Sequence, residues 1–563
     1  MMESLMLFRS YSVQAVDVFQ FATAFFWAEK AATLSNNSAE DIYNMAKALF
    51  LDRQFKRAAY ILENSNFYKT SSACFHLLMR ALDGAKDYMA METCFEIVNI
   101  QKLFEEKESW FSGNMDQIRS GILFLKAKCE IYLGRRQTAA DTLIEAVKCD
   151  PMSFESLEAI IDMHLTSKEK IISLLEALKS NNKFSDSLFL FKLLTDRLRR
   201  NPKEEDSLTQ SPLANSSDVT VNEAERLLNA CAFKDALEAS QLVLKRDQLH
   251  PRSLLISIVS LAELKKKNEL FVLAHRLIDT NPHCHIAWFA VGCYYYLLGK
   301  SDVSRRFLEK STYVEPNFGL AMLVQGHSFA SDGHHDQAMA SYFKAAKLIP
   351  NCHLPTLYVG VEYGLTNNPV FAAKFFNEAY KLCKDDPFVL HEYGVAAYQT
   401  GEYETAKVYF LNAISKIDAT SHTCIPETWE PLYNNMGHVC RKLENYEESL
   451  SYHKKALMLK PRNGSTYTAI GLVQALLRQF HKASDSLHKA LSFKRDDSVA
   501  TSMLNIVLDM TADSPFPIEG IEEVPSVINV DASFCTTAPK TISELAVDSS
   551  LSNDDIQMDM SGS

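Results

Sequence analysis

The stretch HIAWFAVGCYYYLLGK, residues 285–300, is an apolar, aromatic-rich segment with one glycine, Gly292, near its centre. Further glycines follow it at spacings of 34, 34, 34, 43 and 34 residues, at Gly326, Gly360, Gly394, Gly437 and Gly471. A fixed period of this length indicates a repeat array in which each unit packs on its neighbours. The stretch is too short for a membrane span, which needs about 20 apolar residues. No cofactor motif accompanies its aromatic residues, so we interpret it as the first helix of one repeat.

Other positions recur in phase with the glycines. Small residues stand twelve and nineteen positions after each glycine, and mostly large ones stand sixteen after it: Leu308, Tyr342, Phe376, Phe410, His453 and Leu487. A 34-residue period with this pattern is that of the tetratricopeptide repeat, two antiparallel helices that cannot cover their apolar faces alone. Helix axes about 8–10 Å apart need small residues where they cross. The pattern therefore predicts an all-α fold, a tetratricopeptide-repeat α-solenoid.

The period is clear only in part of the chain, and this predicts its organisation. We expect degenerate repeats over 1–200, a disordered insert over 201–218, further degenerate helical repeats over 219–284, the regular array over 285–505 and a disordered acidic tail over 506–563. The one 43-residue spacing adds nine residues, for which we expect an extended loop or a lengthened helix pair. Both polar segments lack the apolar residues needed to fold alone.

Charge and cysteine usage exclude several classes of protein. The net charge is −12, and residues 511–563 hold ten acids and one lysine, which leaves −3 for the rest. Because no basic body remains to neutralise phosphates, we expect no nucleic-acid partner. We also expect no membrane partner and a soluble, intracellular protein. The 12 cysteines are scattered without a CxxC pair and are interpreted as reduced structural thiols.

The sequence offers little chemistry. It lacks the nucleotide-binding, nucleophile-elbow and zinc-protease motifs. His283, Cys284 and His285 could approach a metal, but adjacent ligands in a turn make a poor tetrahedral set and no second cluster completes it. We therefore predict no enzyme activity, no cofactor and no metal, and we expect function in the concave surface of the array.

The residues that line this concave surface can be predicted from their positions in the repeat. In tetratricopeptide arrays, residues three before the glycine, and one and four or five after it, face the groove. These positions predict a partner-peptide groove that includes Phe289, Tyr296, His327, Leu357, Val361, Gly364, His391, Tyr398, Asn434, His438, Arg441 and Thr468. The lining begins apolar and small and becomes polar, which suits a peptide with a buried apolar end and flanking backbone hydrogen bonds. The alternative is that these are solvated residues of one helix face.

Several strings resemble one family: WFAVGCYYYLLG, GHSFASDGHHDQAMASYFKAA, DPFVLHEYGVAAYQTGEY and WEPLYNNMGHVCRKLENYEESLSYHKKAL. It is the family of cell division cycle protein sixteen, subunit six of the anaphase-promoting complex, the cyclosome. The resemblance is dense over about 250–505 and thins back to FFWAEKAATLS, residues 25–35.

The resemblance implies a right-handed superhelix and a non-catalytic scaffold in a multisubunit ubiquitin ligase, supporting ubiquitination of cell-cycle regulators and mitotic progression. It implies a homodimer through the amino-terminal repeats. It also implies that the carboxy-terminal superhelix encloses the acetylated amino-terminal segment of a Cdc-twenty-six-type small subunit. Related tetratricopeptide subunits would be its neighbours. The implied location is nucleus and cytoplasm, with spindle association in mitosis.

Two further hypotheses remain at this stage. The alternative function is a chaperone-cofactor adaptor, which clamps an acidic peptide terminus with several cations; Arg441 and Lys442 could begin such a clamp, but neighbouring repeats supply Leu323, Val361 and Val395. Separately, Ser211 and Ser514 each precede proline in a segment predicted to be disordered, so both are candidate phosphorylation sites.

Overall fold

The computed structural model describes residues 2–512 except 106–109, 112, 181–191, 193–194, 199–212, 214, 385 and 421–426. The described residues form 28 α-helices and two short 3₁₀ helices, and none of them lies in a strand. The chain divides into two compact units, Met1–Phe191 and Lys192–Ser563. The predicted all-α repeat fold is confirmed.

The first unit is built from consecutive helices. They are α1 Met2–Asp17, α2 Phe21–Leu34, α3 Ala39–Leu51, α4 Phe55–Ser65, α5 Ser72–Gly84, α6 Tyr88–Ile97, α7 Ile100–Glu105, α8 Met115–Tyr132, α9 Arg136–Cys149, α10 Phe154–Asp162 and α11 Lys168–Ser180, with a 3₁₀ helix at Phe67–Lys69.

The second unit holds eight helix pairs and a final helix. They are α12 Ser217–Asn229, α13 Phe233–Leu244, α14 Pro251–Glu263, α15 Lys267–Thr280, α16 His285–Leu297, α17 Ser301–Val314, α18 Gly319–Ser331, α19 His335–Leu348, α20 His353–Leu365, α21 Pro369–Leu382, α22 Pro387–Gln399, α23 Tyr403–Thr420, α24 Glu430–Lys442, α25 Tyr446–Leu459, α26 Gly464–Leu476, α27 Phe480–Phe493 and α28 Ser498–Ala512. A 3₁₀ helix spans Glu427–Trp429.

The regular array runs from α16 to α27 and is uniform in length. Every first helix of a pair has 13 residues, and the second helices have 14 except α23, which has 18. The nine extra residues of the sequence thus lie around a lengthened α23, the undescribed 421–426 and the short 3₁₀ helix.

Each periodic glycine lies directly under the large residue sixteen positions later. A Cβ added at Gly326 would stand 2.3 Å from the Tyr342 ring, and one at Gly360 would stand 2.6 Å from the Phe376 ring. The same holds for the other pairs, Gly292 with Leu308, Gly394 with Phe410, Gly437 with His453 and Gly471 with Leu487. The glycines are required because the second helix places its largest side chain against the backbone of the first.

The small position twelve residues after the glycine is buried in all six pairs, at Ser304, Ala338, Ala372, Ala406, Ser449 and Ala483. Where it is serine, the hydroxyl finds a partner within its own pair. Ser304 Oγ donates to the carbonyl oxygen of Gly292 at 2.7 Å, and Ser449 Oγ donates to that of Gly437 at 2.7 Å. A buried hydroxyl is thereby satisfied without a change in the spacing of the helices.

Earlier helix pairs keep the same phase without the glycines. In α3 and α4, Ala46 takes the glycine position, and Ala58 and Leu62 take the positions twelve and sixteen later; all three are buried. In α14 and α15 the sizes are reversed, with Ile258 in the first helix and Ala274 in the second. The period fades in the sequence because alanine replaces the glycine in α3, and because the large and small residues exchange sides in α14 and α15.

Several predicted segments fall at or beyond the limits of the described residues. Most of the predicted insert 201–218 and nearly all of the tail 506–563 lie outside them, as do Ser211 and Ser514. Residues 217 and 218 begin α12, and α28 continues to Ala512. The proposed domain limits therefore stay a prediction. Within the described part of the chain, no helix has the length and apolar character that a bilayer crossing demands.

Candidate partner-binding groove

The predicted groove residues lie on the first helices of the second unit, and most are buried. Ten of the twelve have at most 5% of their surface exposed: Phe289, Tyr296, His327, Leu357, Val361, His391, Tyr398, Asn434, His438 and Thr468. Gly364 and Arg441 are partly exposed. The structure thus places these positions in an interior layer between consecutive repeats rather than on an open face. Their role in binding a peptide remains a prediction.

Aromatic contacts cover the first part of this layer. The ring of Phe289 meets that of Phe318 edge to face at a centroid distance of 5.3 Å. The Nδ1 of His327 lies 2.8 Å from the hydroxyl of Tyr342, and the His327 ring meets Tyr358 at 4.4 Å. These residues join one helix pair to the next and leave the apolar part of the interior well packed.

Polar contacts take over further along. The amide nitrogen of Asn435 lies 3.0 Å from His391 Nε2, and Asn434 Oδ1 lies 2.8 Å from His453 Nδ1. Thr468 Oγ1 donates to the Asp497 carboxylate at 3.1 Å. These polar side chains are held by hydrogen bonds within and between repeats.

Burial keeps His438 and His453 uncharged. Burial lowers the pKa of His453 to about 3, and the positive charge of Arg441 adds to the effect. Burial, with His453 and Arg441 nearby, also holds the pKa of His438 well below its ordinary value. The neighbouring Lys442 ammonium stands 5.9 Å from the Tyr403 ring centre. Arg441 is thus a cation that lies beside the neutral side chains of His438 and His453.

Gly364 marks open space beside α20. A Cβ added there would meet no atom within 4 Å, whereas one added at Gly360, one turn earlier, would collide with Phe376. The two glycines of the same helix thus serve different purposes. Gly360 admits the neighbouring helix, whereas Gly364 has no neighbouring side chain to admit.

The second unit coils back on itself. Cys231 precedes α13 and Phe233 begins it, and both belong to one buried cluster with Leu390, Val395 and Tyr398 of α22. The carboxylate of Asp386 contributes to raising the pKa of the Cys231 thiol, which agrees with this proximity. Residues of the first helix pair therefore share a buried cluster with residues of the sixth.

Sequence reasoning missed a set of buried acids that bond to the neighbouring repeat. Glu362, fully buried, lies 2.6 Å from His335 Nδ1 through Oε2. Glu430 Oε1 accepts hydrogen bonds from Asn463 at 2.9 Å and Thr466 at 3.0 Å. For Glu362 the sequence does carry a signal, an acid inside the apolar helix α20. An unpaired buried carboxylate is costly, so such an acid is expected to have a hydrogen-bonding partner.

The His283–Cys284–His285 run does not form a ligand cluster. His283 is exposed, and the ring of His285 packs on that of Phe318 at 4.7 Å. In the described ranges, the group of three His, Cys or acidic side chains with converging ligand atoms is His353, Cys383 and Asp386.

Comparison with known proteins identifies the family. Residues 17–94 match the family model of subunit 3 of the anaphase-promoting complex, cyclosome, and residues 430–463 match a tetratricopeptide-repeat model. The human cell division cycle protein 16 homolog is 39% identical over 517 residues, covering 88% of this chain and 83% of its own length. Anaphase-promoting complex subunit 6 of Arabidopsis thaliana is 32% identical, covering 87% of this chain and 93% of its own.

A solved structure agrees with these relatives. The crystal structure of the anaphase-promoting complex hetero-tetramer Cut9–Hcn1 contains a chain that is 26% identical to this one, with a TM-score of 0.72. The match covers 89% of this chain and 96% of that one. The chain therefore belongs to the family of cell division cycle protein 16, subunit 6 of the anaphase-promoting complex, whose members are repeat-built structural subunits rather than enzymes.

Proposed function

We propose that this protein is a scaffold subunit of the anaphase-promoting complex, a ubiquitin ligase, and that its second unit holds the amino-terminal segment of a small partner subunit. The observation that carries the proposal is the match along nearly the whole chain to the Cut9–Hcn1 hetero-tetramer, a complex of two different proteins. As such a scaffold it would support ubiquitination of cell-cycle regulators and mitotic progression, in the nucleus and cytoplasm and at the mitotic spindle.

The interior chemistry supports an uncharged peptide end as the occupant. A clamp for an acidic terminus needs several cations, because a buried carboxylate must be paired. Here His438 and His453 are neutral, and Arg441 stands beside them. Neutral imidazole and amide groups suit backbone carbonyls and an acetyl group. This favours the small-subunit reading over the chaperone-cofactor adaptor.

The open space at Gly364 gives a direct test. Gly364→Trp should fill that space and prevent retention of the small subunit on co-expression, while circular dichroism shows nearly unchanged helix content. Gly364→Ala adds only a methyl group where no atom lies within 4 Å, so it should retain the partner fully. Full occupancy in the Trp variant would show that the groove is assigned wrongly.

The first unit supports a homodimer. Helix α1 leaves four large apolar side chains exposed: Met6, Leu7, Tyr11 and Val13. Large exposed apolar surface is typical of a protein interface, and its concentration on one helix supports dimerisation there. Sedimentation of the purified chain should give a dimer, and Met6→Glu with Leu7→Glu should give a monomer of unchanged helix content. A monomeric parent chain would contradict the proposal.

Assembly in cells separates the two candidate functions. Affinity purification from mitotic cells should recover other subunits of the complex, including related tetratricopeptide subunits, and imaging should place the protein in the nucleus and on the spindle. Recovery of chaperones without those subunits would support the adaptor instead.

A further inference from the structure

Three side chains with metal-binding chemistry meet where α20, α21 and α22 join. His353 is the first residue of α20, Cys383 follows the last residue of α21, and Asp386 precedes α22. Their ligand atoms all lie within 4.8 Å of one another, and His353 Nε2 stands 2.6 Å from Asp386 Oδ2. His353 and Cys383 are buried, while the carboxylate keeps 16% of its surface exposed. The cluster is therefore preformed and still reachable from solvent.

The neighbouring repeat shows that a histidine–acid contact alone is an ordinary junction in this array. His335 Nδ1 and Glu362 Oε2 also lie 2.6 Å apart, 27 positions apart in the chain. That junction holds a nitrogen and an oxygen donor. The junction at α20–α22 adds a thiol to the same pair, and a sulfur, nitrogen and oxygen set is what distinguishes it.

We propose that His353, Cys383 and Asp386 bind one zinc ion at this junction. Zinc takes mixed thiolate, imidazole and carboxylate ligands, and three protein ligands leave a fourth position for water. This site revises the expectation of a metal-free protein.

The donors need only small movements to reach zinc geometry. Bonds of about 2.0–2.3 Å place tetrahedral donors roughly 3.3–3.6 Å apart, so shifts of about 1 Å suffice. Asp386 is already oriented, because its Oδ1 accepts the backbone N–H of Phe388 at 2.9 Å and leaves Oδ2 toward the histidine. The Cys383 backbone is fixed by its N–H bond to the carbonyl of Ala379 at 2.9 Å.

The proton balance is simple. The Cys383 thiol releases one proton to solvent and binds as thiolate. Without metal, His353 Nε2 is hydrogen-bonded to Asp386 Oδ2. When Nε2 binds zinc, its hydrogen passes to solvent and the bound imidazole carries one hydrogen, on Nδ1. Asp386 exchanges that hydrogen bond for the metal. No oxidant or reductant takes part.

The test uses the full chain, purified in the presence of a chelator and then titrated with zinc against a chromogenic competitor. We expect one zinc per chain and a higher melting temperature with zinc. Cys383→Ser and Asp386→Asn should each weaken affinity at least tenfold and abolish the zinc-dependent rise. Asp386→Asn keeps a good helix cap, so it tests the site if the serine variant folds poorly.

Matched controls separate this site from surface binding. Cys352→Ser alters the neighbouring thiol, Cys284→Ser alters the His283–Cys284–His285 run, and His335→Gln breaks the related junction without a thiol. All three should bind zinc as the parent does. Cobalt should give a thiolate charge-transfer absorption that Cys383→Ser removes. Equal zinc affinity in Cys383→Ser and the parent, or loss of binding in Cys284→Ser, would overturn the proposal.

Discussion

The six regular helix pairs and the pairs that precede them fill the same space with different residues. In the regular pairs a glycine lies under a large side chain, as Gly360 lies under Phe376. In α14 and α15 the large residue, Ile258, is in the first helix and the small one, Ala274, is in the second. The crossing thus constrains the combined volume of two side chains rather than either residue alone.

The largest expected effect comes from emptying a regular crossing. Phe410 is fully buried over Gly394. Phe410→Ala should lower the free energy of unfolding by about 3–5 kcal/mol, because it loses buried apolar surface and leaves a cavity. Denaturant unfolding measures this. Val408→Ala on the same helix, where Val408 is 56% exposed, is the control and should change stability little.

Overfilling a crossing should cost less. Gly360→Leu should lower the free energy of unfolding by about 1–3 kcal/mol, because its Cβ alone would stand 2.6 Å from the Phe376 ring. Gly364→Leu, one turn away, meets open space and should be tolerated. The double variant Gly360→Leu with Phe376→Ala imitates the reversed pair α14–α15. It should be less destabilised than the sum of the single variants, and strict additivity would contradict the volume argument.

Acid should weaken the array where histidine replaces a hydrophobic residue at the crossing. The pKa of His453 is about 3 in the folded chain and about 6.5 when unfolded, so the unfolded state binds more protons between these values. Stability is therefore lost as the pH falls from about 6.5 toward 3, by about 2 kcal/mol at pH 5. His453→Phe, which copies the residue of two other repeats, should flatten the pH dependence of unfolding; an unchanged slope would assign the acid sensitivity elsewhere.

The smallest expected effect concerns the serine crossings. Ser304→Ala removes a hydrogen bond to the Gly292 carbonyl and introduces the residue that four other repeats carry. The free energy of unfolding should fall by about 0.5–1.5 kcal/mol. Ser449→Ala is an independent replicate. Thermal melts would resolve the change. A loss above about 3 kcal/mol would mean that the hydroxyl contributes more than this one hydrogen bond.

The regular array could be predicted in detail because its chemistry is local and periodic. Gly292 and Leu308 are sixteen residues apart, and every later pair repeats that distance, so the contact follows from the sequence alone. The pair Ile258 and Ala274 could not be found in this way, because a search for a glycine misses a reversed pair.

The sequence period predicts which residues lie on the inner side of the helices, but it does not predict how deeply they are buried. The period places Phe289, His327 and Asn434 on the inner side of their helices, but it does not show that the next repeat covers them. The His353–Cys383–Asp386 cluster depends on how consecutive repeats meet, with ligands 30 and 33 positions apart, so no short motif announces it. Contacts between repeats require the pitch of the coil, which the sequence period does not contain.

Cys231 and Phe233 form a buried contact region with α22, which we call the seam. This seam also bears on how fast a bound peptide would leave. If the peptide of the proposed function lies behind this seam, opening of the seam would limit its release, and its residence time would follow the opening rate. The two subunits would then exchange slowly even at high dilution. Phe233→Ala should loosen the seam and shorten that residence, although Phe233 belongs to the same cluster as Tyr398, one of the predicted groove residues.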